Sequence, residues 1–189
     1  MSNLPNNVSE KEVLTLDFEI TVEDFLAFQK QFVEKTIAAN KKVKYIKWGY
    51  PLFMGYIFYS ILPEDQTIRI LVGSLFLVGM ILWIKYFQRM VISRSLRMAK
   101  KYVANPKNSN SIGRVNMQVK EQGIYLKIKG SESLTNWENI TEAEETTEYL
   151  FIYYTTSSAI VIAKKGLENK IAELKSILKQ QGKPYISHE

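Results

Sequence analysis

The sequence contains no cysteine. Disulfides, thiolate metal sites and cysteine nucleophiles are therefore excluded. Histidine is nearly absent as well, His188 being the single one, next to the last residue. A general base must be held in geometry, which is not expected of a penultimate residue, so neither a Ser-His-Asp site nor a zinc site is expected on it. The chain holds no GxxxxGKS/T or GxGxxG, which removes the phosphate-cradling loops. We find no internal repeat, heptad array or low-complexity tract. The opening residues MSNLPNNVSEKEV lack a basic segment followed by an apolar one and a cleavage site. No cleavable signal is therefore expected, and Met1–Glu12 reads as a mobile polar tail.

The most telling absence is charge in two places. Trp48–Leu62 and Ile70–Ile84 are each fifteen residues without a charged side chain. With their flanks they approach the length needed to cross a hydrocarbon core of about 30 Å at ~1.5 Å per residue. Ile68–Phe87 holds only Arg69 and Lys85, both near its ends, where long side chains snorkel. Tyr45, Trp48, Tyr50, Tyr59, Trp83, Tyr86 and Phe87 gather toward the ends, as interfacial belts require. Residues 45–87 thus read as a transmembrane helical hairpin, with a polar turn at Pro63–Thr67. Neither span has an ionisable residue near its middle, which argues against an ion or proton path. Gly73 and Gly79 lack the four-residue spacing of GxxxG, so close helix association is only weakly signalled.

The chain carries 25 Lys and Arg against 19 Asp and Glu, a net charge of +6 and a pI near 9.3. Nearly half of the basic residues flank the hairpin: Lys30, Lys35, Lys41, Lys42, Lys44 and Lys47 before it, and Lys85, Arg89, Arg94, Arg97, Lys100 and Lys101 after it. The turn has Glu64 and Asp65, then Arg69 alone. The positive-inside rule places both termini in the cytoplasm, in a multi-pass protein of the cell (inner) membrane. The basic excess is then explained by orientation and by attraction to anionic lipid. Nucleic acid is not an expected partner, since Tyr125, Lys127 and Lys129 are too few to form a stacking and charge platform.

Outside the hairpin, Leu14, Leu16, Phe18 and Ile20 alternate with polar residues, as in a half-buried strand. Thr21 can cap a helix from Val22, which places Phe25, Phe28 and Phe32 on one packing face. That helix either runs on into the first span or breaks near Asn40. A lone N-terminal strand needs a partner, so we expect Leu14–Ile20 to join the C-terminal sheet. Gln88–Ala104 continues the second span as a basic amphipathic helix, with Arg89, Arg94, Arg97, Lys100 and Lys101 as candidate contacts to anionic lipid, and ends before Asn105-Pro106. Alternation then predicts a hairpin of Val115–Lys120 and Ile124–Lys129, a turn at Gly130–Ser133, and a strand at Leu134–Ile140. Glu142, Glu144, Glu145 and Glu148 read as an exposed connection. Tyr149–Tyr154 and Ala159–Ala163 form a second, interior hairpin. A final helix carries Ile171, Leu174 and Ile177 or Leu178, with Gly182 as its C-terminal cap and Pro184 as its stop.

The expected fold is an α+β membrane protein. It combines a two-helix transmembrane hairpin with a small cytoplasmic antiparallel β module closed by a C-terminal helix. The expected segments are 1–44 (N-terminal strand and helix), 45–87 (hairpin), 88–106 (basic juxtamembrane helix) and 107–189 (β module).

The order of these parts resembles the YcxB-like bacterial membrane proteins. The resemblance spans about residues 14–180 and rests on Phe18 through Phe28, the hairpin, Trp137–Ile140 and the IVIAKKGL segment at 160–167, where Ala163 stands in place of the family's proline. It implies a β module similar to pleckstrin-homology or GRAM-like sheets and implies no enzyme activity; the residues themselves lead us to expect no metal or cofactor. The expected role is a non-catalytic one, in which the β module binds a protein, peptide or lipid head group. The alternative is a self-protection (immunity) or accessory subunit that acts on a membrane partner through the hairpin. The expected partners are the lipid bilayer and either another protein or a second copy.

Overall fold

The computed structural model describes residues 12–62 and 64–188. The strands are β1 (Glu12–Ile20), β2 (Gly113–Lys120), β3 (Gly123–Ile128), β4 (Ser131–Asn136), β5 (Glu142–Glu145), β6 (Tyr149–Thr155), β7 (Ser158–Ala163) and β8 (Tyr185–Ser187). The helices are α1 (Val22–Ala39), α2 (Lys41–Ile61), α3 (Gln66–Ala104) and α4 (Glu168–Gln180), with 3-10 turns at Pro106–Ser111 and Trp137–Asn139. Residues 1–11 of the expected tail and Pro63 lie outside the described residues, and Glu12 belongs to β1. By packing, one compact unit joins the chain up to Phe28 with the chain from Lys100 onward, and a second comprises Gln29–Ala99. These boundaries fall inside α1 and α3, whereas the sequence divides at 44, 87 and 106, where hydropathy changes.

The first unit is α+β. Its strands form two four-stranded sheets, β1-β2-β3-β4 and β7-β6-β5-β8. β1 pairs antiparallel with β2, setting Leu16 beside Met117 and Phe18 beside Val115 across almost a hundred residues of chain. This is the partner that the lone N-terminal strand requires. Leu14, Leu16, Met117, Val119 and Ile124 from the first sheet meet Ala143, Leu150, Ile152, Ile160 and Ile162 from the second in one core. Ile171, Leu174 and Leu178 of α4 complete it, the stripe that helical spacing predicts. Full burial of such a side chain contributes about 1.5–3 kcal/mol, so these residues hold the sheets and α4 together. α4 ends as expected on Gly182, at φ +67°, with the Lys183 amide donating to the Leu178 carbonyl at 3.0 Å and the Gly182 amide to Lys179 at 3.0 Å. The chain does not stop there. After Pro184 it adds β8, which lies parallel to β5, so the module is not wholly antiparallel.

The reading of the first sheet needs one correction. Ser131 and Glu132 belong to β4, and the strand ends at Asn136 rather than Ile140. The turn is shorter than Gly130–Ser133 because Lys129 (φ +42°) and Gly130 (φ +81°) close it by themselves, with Ile128 opposite Ser131. Two consecutive positive φ values match the twist of the flanking strands. Trp137 then leaves the strand, and its indole N–H donates to the carbonyls of Glu121 (3.0 Å) and Lys120 (3.2 Å).

At Gly123, opposite Asn136, a Cβ would come within 2.1 Å of the Thr135 carbonyl oxygen. Backbone cannot move aside as a flexible side chain can. Gly123→Ala is expected to cost about 2–3 kcal/mol, as overpacking does, read as a lower denaturant midpoint with an unchanged slope.

α1 opens with a reciprocal cap: the Asp24 amide donates to Thr21 Oγ1 (3.2 Å), and the Thr21 amide donates to Asp24 Oδ2 (2.8 Å). Phe28 lies 5.9 Å from the ring of Phe151 and 6.1 Å from that of Tyr153. β6 is therefore covered on both faces: Leu150 and Ile152 enter the core, while Phe151 and Tyr153 lie under α1. That accounts for its near-continuous apolar sequence.

The second unit is helical. Of the two courses open to α1, running on into the first span or breaking near Asn40, the structure takes the break at Asn40, whose side-chain oxygen accepts from the Lys42 amide at 2.9 Å. α2 and α3 form an antiparallel hairpin. Tyr50 packs on Trp83 (5.4 Å) and Phe58 on Phe76 (6.4 Å), and the Trp83 indole donates to the Lys47 carbonyl at 3.1 Å. The turn is tighter than predicted, since Gln66 and Thr67 already belong to α3 and Asp65 Oδ1 accepts from the Ile68 amide at 3.0 Å. Among the described helices, α3 alone is long and apolar enough to cross a membrane. α2 begins with Lys41, Lys42, Lys44 and Lys47, and Tyr50, Pro51, Tyr56 and Tyr59 dilute its apolar part.

Candidate functional site

The five basic residues singled out from sequence all lie on α3, which runs unbroken from Gln66 to Ala104 and ends before Asn105-Pro106 as the sequence predicts. At 3.6 residues per turn Arg89, Arg94, Arg97, Lys100 and Lys101 fall within an arc of about 140°. Ala99 and Val103, which are buried, occupy another side of the helix. All five basic residues are exposed, and none forms an ion pair with a described residue. The one polar contact among them is from Arg97 Nε to the Ser93 carbonyl at 3.4 Å. In the helical unit, Lys41, Lys42 and Lys44 are exposed on the first turns of α2. The contact of Trp83 with Lys47 brings that end of α2 beside the stretch of α3 that leads to Lys85 and Arg89. A charged stripe with no partner of its own can bind a diffuse negative field, such as an anionic bilayer surface.

A second set of charges was misread in the sequence. Glu142–Glu145 is not an exposed connection but strand β5, and Glu144 and Glu145 are only 3% and 5% exposed. Burial of a carboxylate is tolerated when each oxygen has a partner. Lys164 Nζ lies 2.7 Å from Glu145 Oε1; Lys175 Nζ lies 2.9 Å and the Tyr185 hydroxyl 2.6 Å from Oε2. These donors come from the end of β7, from α4 and from β8. Lys175 also sits 4.8 Å from the Tyr185 ring centroid. Burial pushes the Glu145 carboxyl up, but the hydrogen bonds from Lys164, Lys175 and Tyr185 outweigh it and hold the group at about 2. A carboxylate so held is ionised and saturated at neutral pH. It acts as a clasp between strand, helix and C-terminal segment, and its proton affinity is far from that of a general base working near neutrality.

Glu144 faces the other side of the sheet. His188 Nε2 is 2.8 Å from its Oε1, and the His188 amide donates to the Glu145 carbonyl at 2.9 Å. The penultimate histidine is therefore held in place, contrary to expectation, because β8 fixes it. Burial and the Glu144 carboxylate push the Tyr153 hydroxyl upward. On the same face, burial and Asp24 raise Tyr149. No described group of three or more His, Asp or Glu side chains is arranged to hold a metal.

The residues that the sequence missed carried little signal. Alternating Glu142, Ala143, Glu144 and Glu145 lacks an apolar face, and the partners of Glu145 lie 19 to 40 positions away. Only the short apolar stretch Tyr185-Ile186 beyond Pro184 hinted at another strand.

No curated protein matches the chain. Residues 119–178 match the model of the family described as YcxB-like protein. The match runs from the end of β2 to α4, narrower than the 14–180 suggested by the order of parts. It takes in Trp137, β5 with its buried glutamates, and Lys164 and Lys175, and leaves out β1, α1 and the hairpin. The β module of this chain is thus similar to the YcxB-like family.

Proposed function

We propose that the chain is an integral inner-membrane protein in which α2 and α3 both cross the bilayer, with both termini cytoplasmic. Its β module acts as a non-catalytic binding module for a protein, peptide or lipid head group at the membrane surface. The observation that carries this reading is the exposure of the hairpin's apolar side chains. None of the most apolar eighteen-residue window of α3 is buried, and Leu71 and Leu75 are 69% and 70% exposed. A helix in the core of a soluble protein buries such residues, whereas soluble surfaces rarely carry apolar patches this extensive. The exposed cations lie toward one end of the hairpin and the acidic turn at the other, which supports the orientation. Two sheets closed by a C-terminal helix support the likeness to pleckstrin-homology and GRAM-like modules.

The lack of native cysteine makes the test direct. Gln66→Cys is expected to react with an impermeant thiol reagent on intact cells, and Glu173→Cys, exposed on α4, only after lysis. The protein is expected to stay in the membrane through an alkaline carbonate wash. Extraction by carbonate would overturn the membrane reading; labelling at Glu173→Cys but not Gln66→Cys would overturn the orientation.

A further inference from the structure

The first sheet ends at β4, whose outer edge is open. Lys129 and Gly130 make a two-residue turn that closes on Ile128 and Ser131, so that pair exchanges both of its backbone hydrogen bonds. Parity then fixes the rest: Ser131, Ser133 and Thr135 bond to β3, while the amides and carbonyls of Glu132 and Leu134 point away from it. The Trp137 amide, which donates to the Gln122 carbonyl at 3.1 Å, keeps the same parity just beyond the strand. The other sheet edges are occupied or short. The Thr15 carbonyl on β1 accepts from Lys170 Nζ at 2.8 Å, β7 lies against β1, and β8 has three residues. Edge strands are commonly guarded by lysine, proline or a bulge. β4 (SESLTN) holds neither Lys nor Pro and pairs with β3 without a shift in register. Its one charge, Glu132, is bound within its own sheet, 2.7 Å from Lys127 Nζ.

We propose that β4 pairs antiparallel with β4 of a second copy, about a two-fold axis through Leu134, and joins the two four-stranded sheets into one. In that register Leu134, 46% exposed, stands opposite Leu134 of the second copy. Glu132 stands opposite Asn136, whose side chain is not used to cap the 3-10 turn that follows. An apolar pair thus sits at the centre, a carboxylate meets an amide on either side, and no like charges face each other. A register centred on Ser133 would instead set Leu134 against Glu132. The strand complements itself under the two-fold, which is the reason to assign the edge to a second copy over a foreign extended segment. Such an interface is small beside the about 1,000 Å² of a lasting one. Its persistence relies on two copies being held in one bilayer, and so rests on the membrane reading above.

The test is made on the full chain in membranes, where the lack of native cysteine leaves one thiol per variant. Residues facing each other in a hydrogen-bonded pair have Cα atoms about 5.5 Å apart, within disulfide reach, so Leu134→Cys is expected to oxidise to a covalent dimer. Glu132→Cys alone is not, because its two copies lie four residues out of register, about 13 Å apart along the strand. A mixture of Glu132→Cys and Asn136→Cys chains is expected to link. Leu134→Pro removes only an outward amide, which an edge strand tolerates. It is expected to weaken association about thirtyfold, the worth of two backbone hydrogen bonds, read by energy transfer between labelled copies in vesicles. The cysteine variants leave the backbone as it is, so they decide the matter even where Leu134→Pro does not fold. Leu134→Cys that links no faster than Glu132→Cys, or a Glu132→Cys and Asn136→Cys mixture that does not link, would overturn the proposal and leave the edge to another protein. Carbonate extraction would instead remove the membrane reading, so the two failures are distinct.

Discussion

Glu145→Gln is expected to lower the stability of the β module by about 3 kcal/mol, the loss that follows removal of one partner from a buried ion pair. A single amide oxygen cannot replace two carboxylate oxygens that accept from Lys164, Lys175 and Tyr185. The lysines retain some contact with water, their side chains being 23% and 31% exposed, which keeps the cost toward the lower end. Lys164→Met or Lys175→Met alone is expected to cost less, since Glu145 keeps its other partners. Glu173→Gln on the exposed side of α4 should change little. Hydrogen exchange of full-length protein in detergent is the measurement, with the amides of β5 and α4 losing protection together. An unchanged protection pattern in Glu145→Gln would show that the clasp is idle.

The same group sets an acid limit. The Glu145 carboxyl lies at about 2 in the folded chain against an ordinary 4.5. A depressed carboxyl binds its proton more weakly in the folded state, so its contribution is fully present above about pH 4.5 and fades as pH falls toward 2. At about 1.4 kcal/mol per pH unit, this is on the order of 3 kcal/mol. Protection of β5 and α4 is expected to fall through that window in the unaltered chain and to be flatter there in Glu145→Gln.

The elements that sequence made legible were those whose neighbours impose a period. β1 showed itself by Leu14, Leu16 and Phe18, and its need for a partner identified the sheet it joins. Thr21, Asn40, Gly182 and the Asn105-Pro106 step marked helix ends because capping is local chemistry. Reading failed where stability comes from side chains far apart in the chain. Nothing within Glu142–Glu145 reveals that Lys164, Lys175 and Tyr185 will converge on one carboxylate, so four acids in seven residues look like solvated surface. His188 looked idle because a terminal residue acquires geometry only from β8, a three-residue strand with no period to recognise. The strand read over Leu134–Ile140 runs through Trp137, whereas the Trp137 indole is held by the carbonyls of Lys120 and Glu121, which its own segment does not reveal. That Arg89, Arg94, Arg97, Lys100 and Lys101 share one continuous helix was legible, since nothing breaks the helical pattern before Asn105-Pro106.

Changing Arg94, Arg97, Lys100 and Lys101 to Gln is expected to weaken attachment of the β module to anionic bilayers by about a hundredfold. Each cation near such a surface contributes about 1 kcal/mol, so four give an upper bound of ~4 kcal/mol, reduced by screening. The stripe has to be tested apart from the hairpin, whose insertion would mask it. A fragment starting at residue 88 is unsuitable, because it lacks β1 and leaves the edge of β2 open. The suitable variant replaces residues 40–87 with a flexible Gly/Ser linker and keeps β1 and α1 in the chain. Its binding to vesicles rich in phosphatidylglycerol should exceed binding to neutral vesicles and fall as salt rises from about 0.01 to 0.15 M, over which the Debye length shrinks from about 30 to 8 Å. The four-fold Gln variant should bind both vesicle types alike. If it binds anionic vesicles as well as its parent does, or if salt has no effect, the stripe serves only to orient the hairpin during insertion. Specificity among anionic lipids is not expected from it, because a stripe of exposed, separately mobile cations senses charge density and offers no fixed geometry for one head group.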